Sequence, residues 1–414
     1  MVEIEIAHPE VTGVTESSVA LAFDVISDGR PVDAEVEVTV GGEPRARSGG
    51  EPGTRLVRIE GLPPDAEIEV GFRAPGLRPV SPDRYFPERL RTLPSPEAAE
   101  VGRFATLNDI HIGEARMGGR LTEDFEYGEE APGFPVVRAE DTPTPYWQFM
   151  LEDAIDEINA LGVDALVIKG DIADRGRPEQ FEEARRLFGR IRAPHHVVLG
   201  NHDHYAVLEG ERVDGYALLG QPAAPRALDL AGFRLLLVET ALPGEHHGVF
   251  PEERRRWLDS ALSEAREAGL PTFVLMHHHP VPPEHAGSYP NSIGLDPEDS
   301  VALFELLGRH PQVRAVLVGH THRNKVRRYP AAGSIPFVEV HNPKDYPGGY
   351  AVYRLFEDGS AIQEVRRTGS RRALVHAARC RELFRGFYRH FALGRLEDRS
   401  FFIPPQGSAT GARG

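Results

Sequence analysis

Five short polar motifs constrain this chain more than any other feature: Asp109-Ile-His111, Gly170-Asp171, Gly200-Asn-His-Asp203, His277-His-His279 and Gly319-His-Thr-His322. Four of them directly follow an apolar run, where open α/β sheets place their sites. Each brings His, Asp or Asn, which are nitrogen and oxygen ligands suited to Mn, Fe or Zn rather than to a thiolate site. Taken singly, an Asp-x-His or a His-x-His is an ordinary surface or capping pair. All five in this order, each at a strand end, are very hard to obtain by chance.

The spacing carries a geometric expectation. On an extended strand end, Asp109 and His111 point to the same side and grip one ion, and His320 and His322 repeat the pattern. Two such pairs plus an Asp and an Asn exceed what one ion takes, so a two-metal site with one bridging carboxylate is favoured. Ions about 3.5–4 Å apart hold both the attacking and the leaving oxygen of a phosphoryl centre. Glycines before Asp171, Asn201 and His320 let the chain turn sharply. The triple His277-His278-His279 cannot ligate as a whole, because neighbours on an extended chain face opposite ways.

Composition narrows the classes. Lys+Arg number 47 against 63 Asp+Glu, a formal net charge of −16, which argues against non-specific coating of nucleic acid. Only Lys169, Lys325 and Lys344 are lysines, and none sits in a G-K-[ST] sequence, so a P-loop nucleotide site is excluded. The single Cys380 forbids an internal disulfide and a cysteine zinc cluster. The start Met-Val-Glu-Ile-Glu-Ile carries no signal-peptide pattern, and no apolar run reaches membrane length, so a cytoplasmic protein with no membrane partner is expected.

Along the chain, residues 1–97 read as β. Ser18 to Ile26, Glu35 to Val40, Leu56 to Ile59 and Ala66 to Phe72 are short strands between Gly/Pro turns, a pattern that predicts a small all-β sandwich. Leu93-Pro-Ser-Pro reads as a linker. From residue 98 to 368, strands such as Ala165 to Ile168 alternate with helical periodicity such as Tyr146 to Ala160, predicting an α/β layered domain. Residues 113–145 are acidic and aperiodic (Glu123, Asp124, Glu126, Glu129, Glu130), a surface loop or a lid. Residues 369–405 place Leu383, Phe384, Phe387 and Phe391 at helical spacing, an amphipathic helical extension whose arginines are expected on a solvated face. A disordered tail is expected over 406–414. Self-association through that helix or the β module is expected as a partner role.

The motif series resembles that of the calcineurin-like metallophosphoesterases over roughly residues 102–356. Leu275-Met-His-His-His-Pro-Val-Pro and Val318-Gly-His-Thr-His are most similar to the bacterial cyclic-nucleotide-phosphodiesterase-like branch, and Gly170-Asp-Ile-Ala-Asp-Arg-Gly176 to the phosphoprotein phosphatases. The resemblance implies a four-layer α/β/β/α sandwich and two metal ions (Mn, Fe or Zn). One ion would take Asp109, His111, Asp171 and His322, the other Asp171, Asn201, His277 and His320, with His278 as second choice to His277. His202 would contact the phosphate and protonate the leaving group, and Asp203 would orient it. The implied reaction is hydrolysis of a small phosphodiester or phosphomonoester by a metal-bridging hydroxide. The alternatives are a phosphomonoesterase or protein-phosphatase-like activity, or a non-catalytic metal-binding scaffold. Gly61-Leu-Pro-Pro-Asp-Ala-Glu-Ile-Glu-Val resembles fibronectin type III-like modules, which precede the catalytic domain in some relatives such as purple acid phosphatases. Asp174 stands where those carry a metal-bound tyrosine, so a purple iron site is not expected.

Overall fold

A computed structural model describes residues 3–121 and 128–407. The N-terminal strands form two four-stranded sheets. One joins Glu5–Val14, Ser18–Ser27, Arg30–Pro31 and Arg55–Glu60; the other joins Glu43–Ser48, Val36–Val40, Glu67–Arg73 and Arg89–Arg91. Val19, Leu21, Phe23, Val36, Val38, Ile68 and Val70 belong to one core shared by the two sheets. The first strand is absent from the sequence reading. Its segment contains Pro9 and Gly13, and register shifts between Ala7 and Glu10 and between Val11 and Gly13 absorb both residues. Such bulges hide the period-2 signal.

The region that follows is built from two six-stranded sheets. The first runs His195–Val198, Ala165–Lys169, Glu100–Leu107, Gly349–Phe356, Ala361–Arg367, Ser400–Ile403, and the second Arg226–Leu230, Phe233–Leu237, Thr272–Leu275, Val313–Val318, Pro336–Glu339, Lys325–Arg328. Strand alternation decides what each residue meets. In Ala165–Lys169, Ala165 and Val167 face the other sheet with Phe104, Phe273, Leu275 and Leu317. Leu166 and Ile168 face outward onto the helices Tyr146–Leu161 and Pro178–Phe188. Helices Glu252–Glu267 and Pro297–Gly308 cover the outer face of the second sheet through Leu258, Leu262, Leu303 and Leu307. The layers are therefore helix, sheet, sheet, helix. Helix Tyr146–Leu161 buries Trp147, Met150, Leu151, Ala154, Ile155 and Ile158 and ends at Gly162, whose φ of 62° suits glycine. Among the described residues, no helix is long and apolar enough to cross a membrane.

The C-terminal segment corrects two expectations. It is not one helix: Arg371–Arg381 is followed by a 3-10 turn, the short helices Phe387–Ala392 and Leu396–Arg399, and the strand Ser400–Ile403, which pairs with Ala361–Arg367. The break falls at Phe384 and Arg385, both with left-handed φ, before Gly386. Its arginines are also not all a solvated face. Arg367, Arg381 and Arg399 are buried against the N-terminal strands. Arg367 and Arg389 bond the Glu10 carboxylate (3.2 and 2.8 Å), Arg381 bonds Asp24 (3.0 Å), and Arg399 donates to the Thr12 carbonyl (3.2 Å). These partners lie more than 350 positions away, so no local pattern announces them. The acidic segment includes a two-stranded ribbon, Arg116–Gly118 with Val136–Arg138, and a 3-10 turn at Ala139–Asp141. Glu123, Asp124 and Glu126 lie outside the described residues, as does the expected disordered tail from 408 on.

Candidate metal centre and its surroundings

The five motifs meet at the carboxyl ends of five strands, three from the first sheet and two from the second. Glu100–Leu107 delivers Asp109 and His111, Ala165–Lys169 delivers Asp171, and His195–Val198 delivers Asn201 to Asp203. Across the sandwich, Thr272–Leu275 delivers His277 and Val313–Val318 delivers His320 and His322. All are buried.

The means of convergence differs from the extended geometry expected. Asp109, His111, Asp171, His320 and His322 all have positive φ, between 50° and 70°. These left-handed turns, strained for residues with a Cβ, aim the side chains inward; strand alternation does not. Of the three glycines, only Gly170 needs its left-handed φ of 86°. Gly200 is required by close approach instead. A Cβ there would stand 2.2 Å from Asp171 Oδ1 and 2.8 Å from His277 Nε2. A Cβ on Gly319 would meet Asp109 Oδ2 at 2.9 Å.

Asp171 lies between two groups of donors. Its Oδ2 is 3.0 Å from His277 Nε2 and 3.9 Å from His111 Nε2, and its Oδ1 accepts the His202 N–H at 3.0 Å. On one side, His111 Nε2 is 3.2 Å from His322 Nε2, which is 3.6 Å from Asp109 Oδ1. On the other, His277 Nε2 is 3.1 Å from Asn201 Oδ1. The Asn201 amide nitrogen donates to Tyr205 Oη at 2.7 Å, which turns its oxygen toward His277. His277 donates from Nδ1 to the Lys169 carbonyl at 2.8 Å, and His320 from Nε2 to the Ile293 carbonyl at 2.8 Å. Such outer bonds fix which ring nitrogen faces inward.

This donor set fits metal ions. A neutral His277 would present a lone pair to an amide oxygen and a carboxylate oxygen at contact distance, an arrangement that needs a cation. The charge balance says the same. Burial alone would lower the His277 imidazole, yet the Asp171 and Asp109 carboxylates carry it up to about 9. A proton held that firmly marks a strongly negative, water-poor pocket. Three-residue groups able to hold an ion include Asp109–His111–His322, Asp109–Asp171–His277 and His277–His278–His320.

His277 meets Asp171 and Asn201, whereas His278 holds Thr240 Oγ1 through Nδ1 at 2.9 Å. His202 stands beside His111, ring centroids 4.4 Å apart, and its Nδ1 donates to the Asp174 carbonyl at 2.8 Å. Asp203 bonds the backbone on either side of the site. Its oxygens accept the N–H groups of Ala173 (2.8 Å) and Gly200 (2.9 Å), pinning the Asp171 loop to the Asn201 turn. Burial, aided by the Asp171 carboxylate, lifts the Asp203 carboxyl to about 6.

Several contributors escaped the sequence reading. Asp174 holds His202 through its carbonyl and lies 3.5 Å from His111 Nδ1. Asp345 Oδ2 is 3.6 Å from His322 Nδ1, and Lys344, buried beside it, bonds Glu114 at 3.0 Å. His246 bonds Tyr205 at 2.7 Å and so reaches Asn201 through it. Only the clustering of Asn342, Lys344 and Asp345 after the apolar strand Pro336–Glu339 could have pointed to the second of these groups. Arg175 is partly exposed, its Nε 3.9 Å from Asp174 Oδ2.

Two sheets carrying a His/Asp/Asn cluster at their strand ends define a metallophosphoesterase architecture. Residues 102–324 match the profile of calcineurin-like phosphoesterases, and the chain belongs to that family. It is 34% identical over 181 residues to the glycerophosphodiester phosphodiesterase GpdQ of Enterobacter lignolyticus (strain SCF1), covering 43% of this chain and 63% of that one. It is 31% identical over 161 residues to the 3′,5′-cyclic adenosine monophosphate phosphodiesterase CpdA of Pseudomonas aeruginosa, covering 39% and 55%. The match thus spans somewhat over half the length of these relatives. Among solved structures, a dimetal phosphatase from Danio rerio superposes with TM-score 0.46 at 17% identity, over 65% of this chain and 97% of that one.

Proposed function

We propose that the chain is a metal-dependent phosphoric ester hydrolase acting on small phosphodiesters, through two ions held by Asp109, His111, Asp171, Asn201, His277, His320 and His322. The observation that carries this reading is the position of Asp171 between the His111 and His277 nitrogens, at 3.9 and 3.0 Å. Bound there, two ions supply charge neutralisation at phosphorus and an acidified water. The remaining work falls to the chain. Asn201 and His277, aimed by Tyr205 and the Lys169 carbonyl, hold one side of the site, while His111 and His322 hold the other. His202, with Nδ1 committed to the Asp174 carbonyl, presents Nε2 to the ester; as the imidazolium, protonated on both ring nitrogens, it passes the Nε2 proton to the leaving oxygen and regains one from water. Asp203 serves by locking the loops. The diester preference is supported by the names of the relatives, which act on glycerophosphodiesters and cyclic nucleotides. In this reading residues 98–368 carry the chemistry. The two N-terminal sheets, read as a fibronectin type III-like module, brace it. Turnover of a diester by Asp171→Ala and Asn201→Ala, in protein that still folds, tests the assignment. Loss in both is expected, and unchanged turnover in both contradicts it.

A further inference from the structure

We infer that the C-terminal segment Leu383–Leu393 is a wall of the candidate site, and that it filters esters by the size of the group on the His322 side of phosphorus. This rests on the reading just given. A cavity beside His322 has Tyr289, Phe384, Tyr388 and Phe391 among its lining, with Met117, Lys344 and Glu114 also facing it. Three of these aromatics come from the C-terminal segment, which lies beyond the part of the chain matching the family profile. The wall is therefore built largely from outside the matched region.

It is fixed to the residues that follow His322. The Asn324 N–H donates to the Ala392 carbonyl at 3.0 Å, and its side-chain amide reaches the Ala392 and Leu393 carbonyls at 3.2 Å each. The Arg323 guanidinium lies over the Phe391 ring at 5.2 Å. Tyr289, from a separate loop, stacks on Phe391 with centroids 6.3 Å apart. Phe384 and Tyr388 are buried behind it. The wall is packed on two sides and does not retreat freely.

The space it leaves is about 20 Å³. That admits roughly one water; a benzene-sized group takes on the order of 150 Å³. A diester with one large and one small substituent therefore presents the small one here. Phe391 and Tyr289, both only half-buried, are the residues whose removal opens the space without emptying a core.

The test compares bis-p-nitrophenyl phosphate with methyl p-nitrophenyl phosphate, full-length protein with Mn²⁺, in wild type, Phe391→Ala and Tyr289→Ala. The expected result is a rise of about 10-fold in the bulky-to-small ratio of kcat/KM in either variant, the scale on which a pocket wall discriminates. A loss of packing alone would lower both substrates together and leave the ratio unchanged. An unchanged or falling ratio in both variants, with wild type active on both diesters, overturns the filter and spares the function. Wild type inactive on both diesters overturns the function and the filter with it.

Discussion

Asp171 and His277 come from different sheets and meet at 3.0 Å, both fully buried. That contact joins the two halves of the sandwich at the site. It places a carboxylate where it can serve donors from the strands ending at Leu107 and at Leu275 at once.

Gly200 makes the contact sterically feasible, so Gly200→Ala is a sharp probe. The added Cβ would press on Asp171 Oδ1 and His277 Nε2. Its backbone φ is not left-handed, so the substitution is compatible with the turn itself. We expect bound metal to fall and diester turnover to drop about 100-fold with the fold retained, the cost of displacing a reacting group by about 1 Å. Metal analysis and circular dichroism check this; wild-type metal content would contradict it.

His202 is assigned to the ester and not to the ions. His202→Ala should lower kcat by about 10²-fold, the usual contribution of a positioned general acid, while metal content stays at the wild-type level. A leaving group that needs no protonation, such as p-nitrophenolate, should recover part of the loss. Loss of metal in His202→Ala would place this residue among the ligands.

Five motifs made the site legible, because strand, turn and polar residues lie within a few positions of each other. What the sequence did not carry is how they converge. Asp109 and His111 were expected side by side on an extended strand, but they reach the site through left-handed turns. Composition does not encode that φ. The helpers were hidden for a different reason. Asp345 beside His322, and Glu10 among Arg367 and Arg389, pair across separations that no local pattern spans. The buried arginines of the C-terminal segment read as a solvated face because their partners lie in the first two strands.

Glu10 holds the two regions together. It accepts from Tyr346 (2.6 Å), Arg389 (2.8 Å) and Arg367 (3.2 Å) while fully buried. Glu10→Ala leaves two guanidinium groups and a phenol without their acceptor, and should destabilise by about 3–5 kcal/mol. Turnover per folded molecule should stay near wild type. Urea unfolding with parallel kinetics checks this; a loss under about 1 kcal/mol would mean that water or another acceptor replaces the carboxylate.

His376 sets part of the acid limit. Burial lowers its imidazole to about 4 against an ordinary 6.5, and its Nε2 donates to the Lys344 carbonyl at 2.8 Å, the bond of a neutral ring. The unfolded chain takes up this proton near pH 6.5, while the folded protein resists it to about pH 4. Stability is thus complete above about 6.5 and falls as pH drops through that window, by at most about 3 kcal/mol from this residue. His376→Gln should flatten the urea-unfolding profile between pH 7 and 4. An equally steep profile in the variant would assign the acid sensitivity elsewhere.

The central claim is metal-dependent cleavage of a phosphodiester at the Asp171 cluster. Steady-state hydrolysis of methyl p-nitrophenyl phosphate beside p-nitrophenyl phosphate, with Mn²⁺ and then with chelator, tests it most directly. The account predicts turnover that favours the diester and is abolished by chelator. Turnover untouched by chelator, or no turnover of either ester with Mn²⁺ supplied, would contradict it.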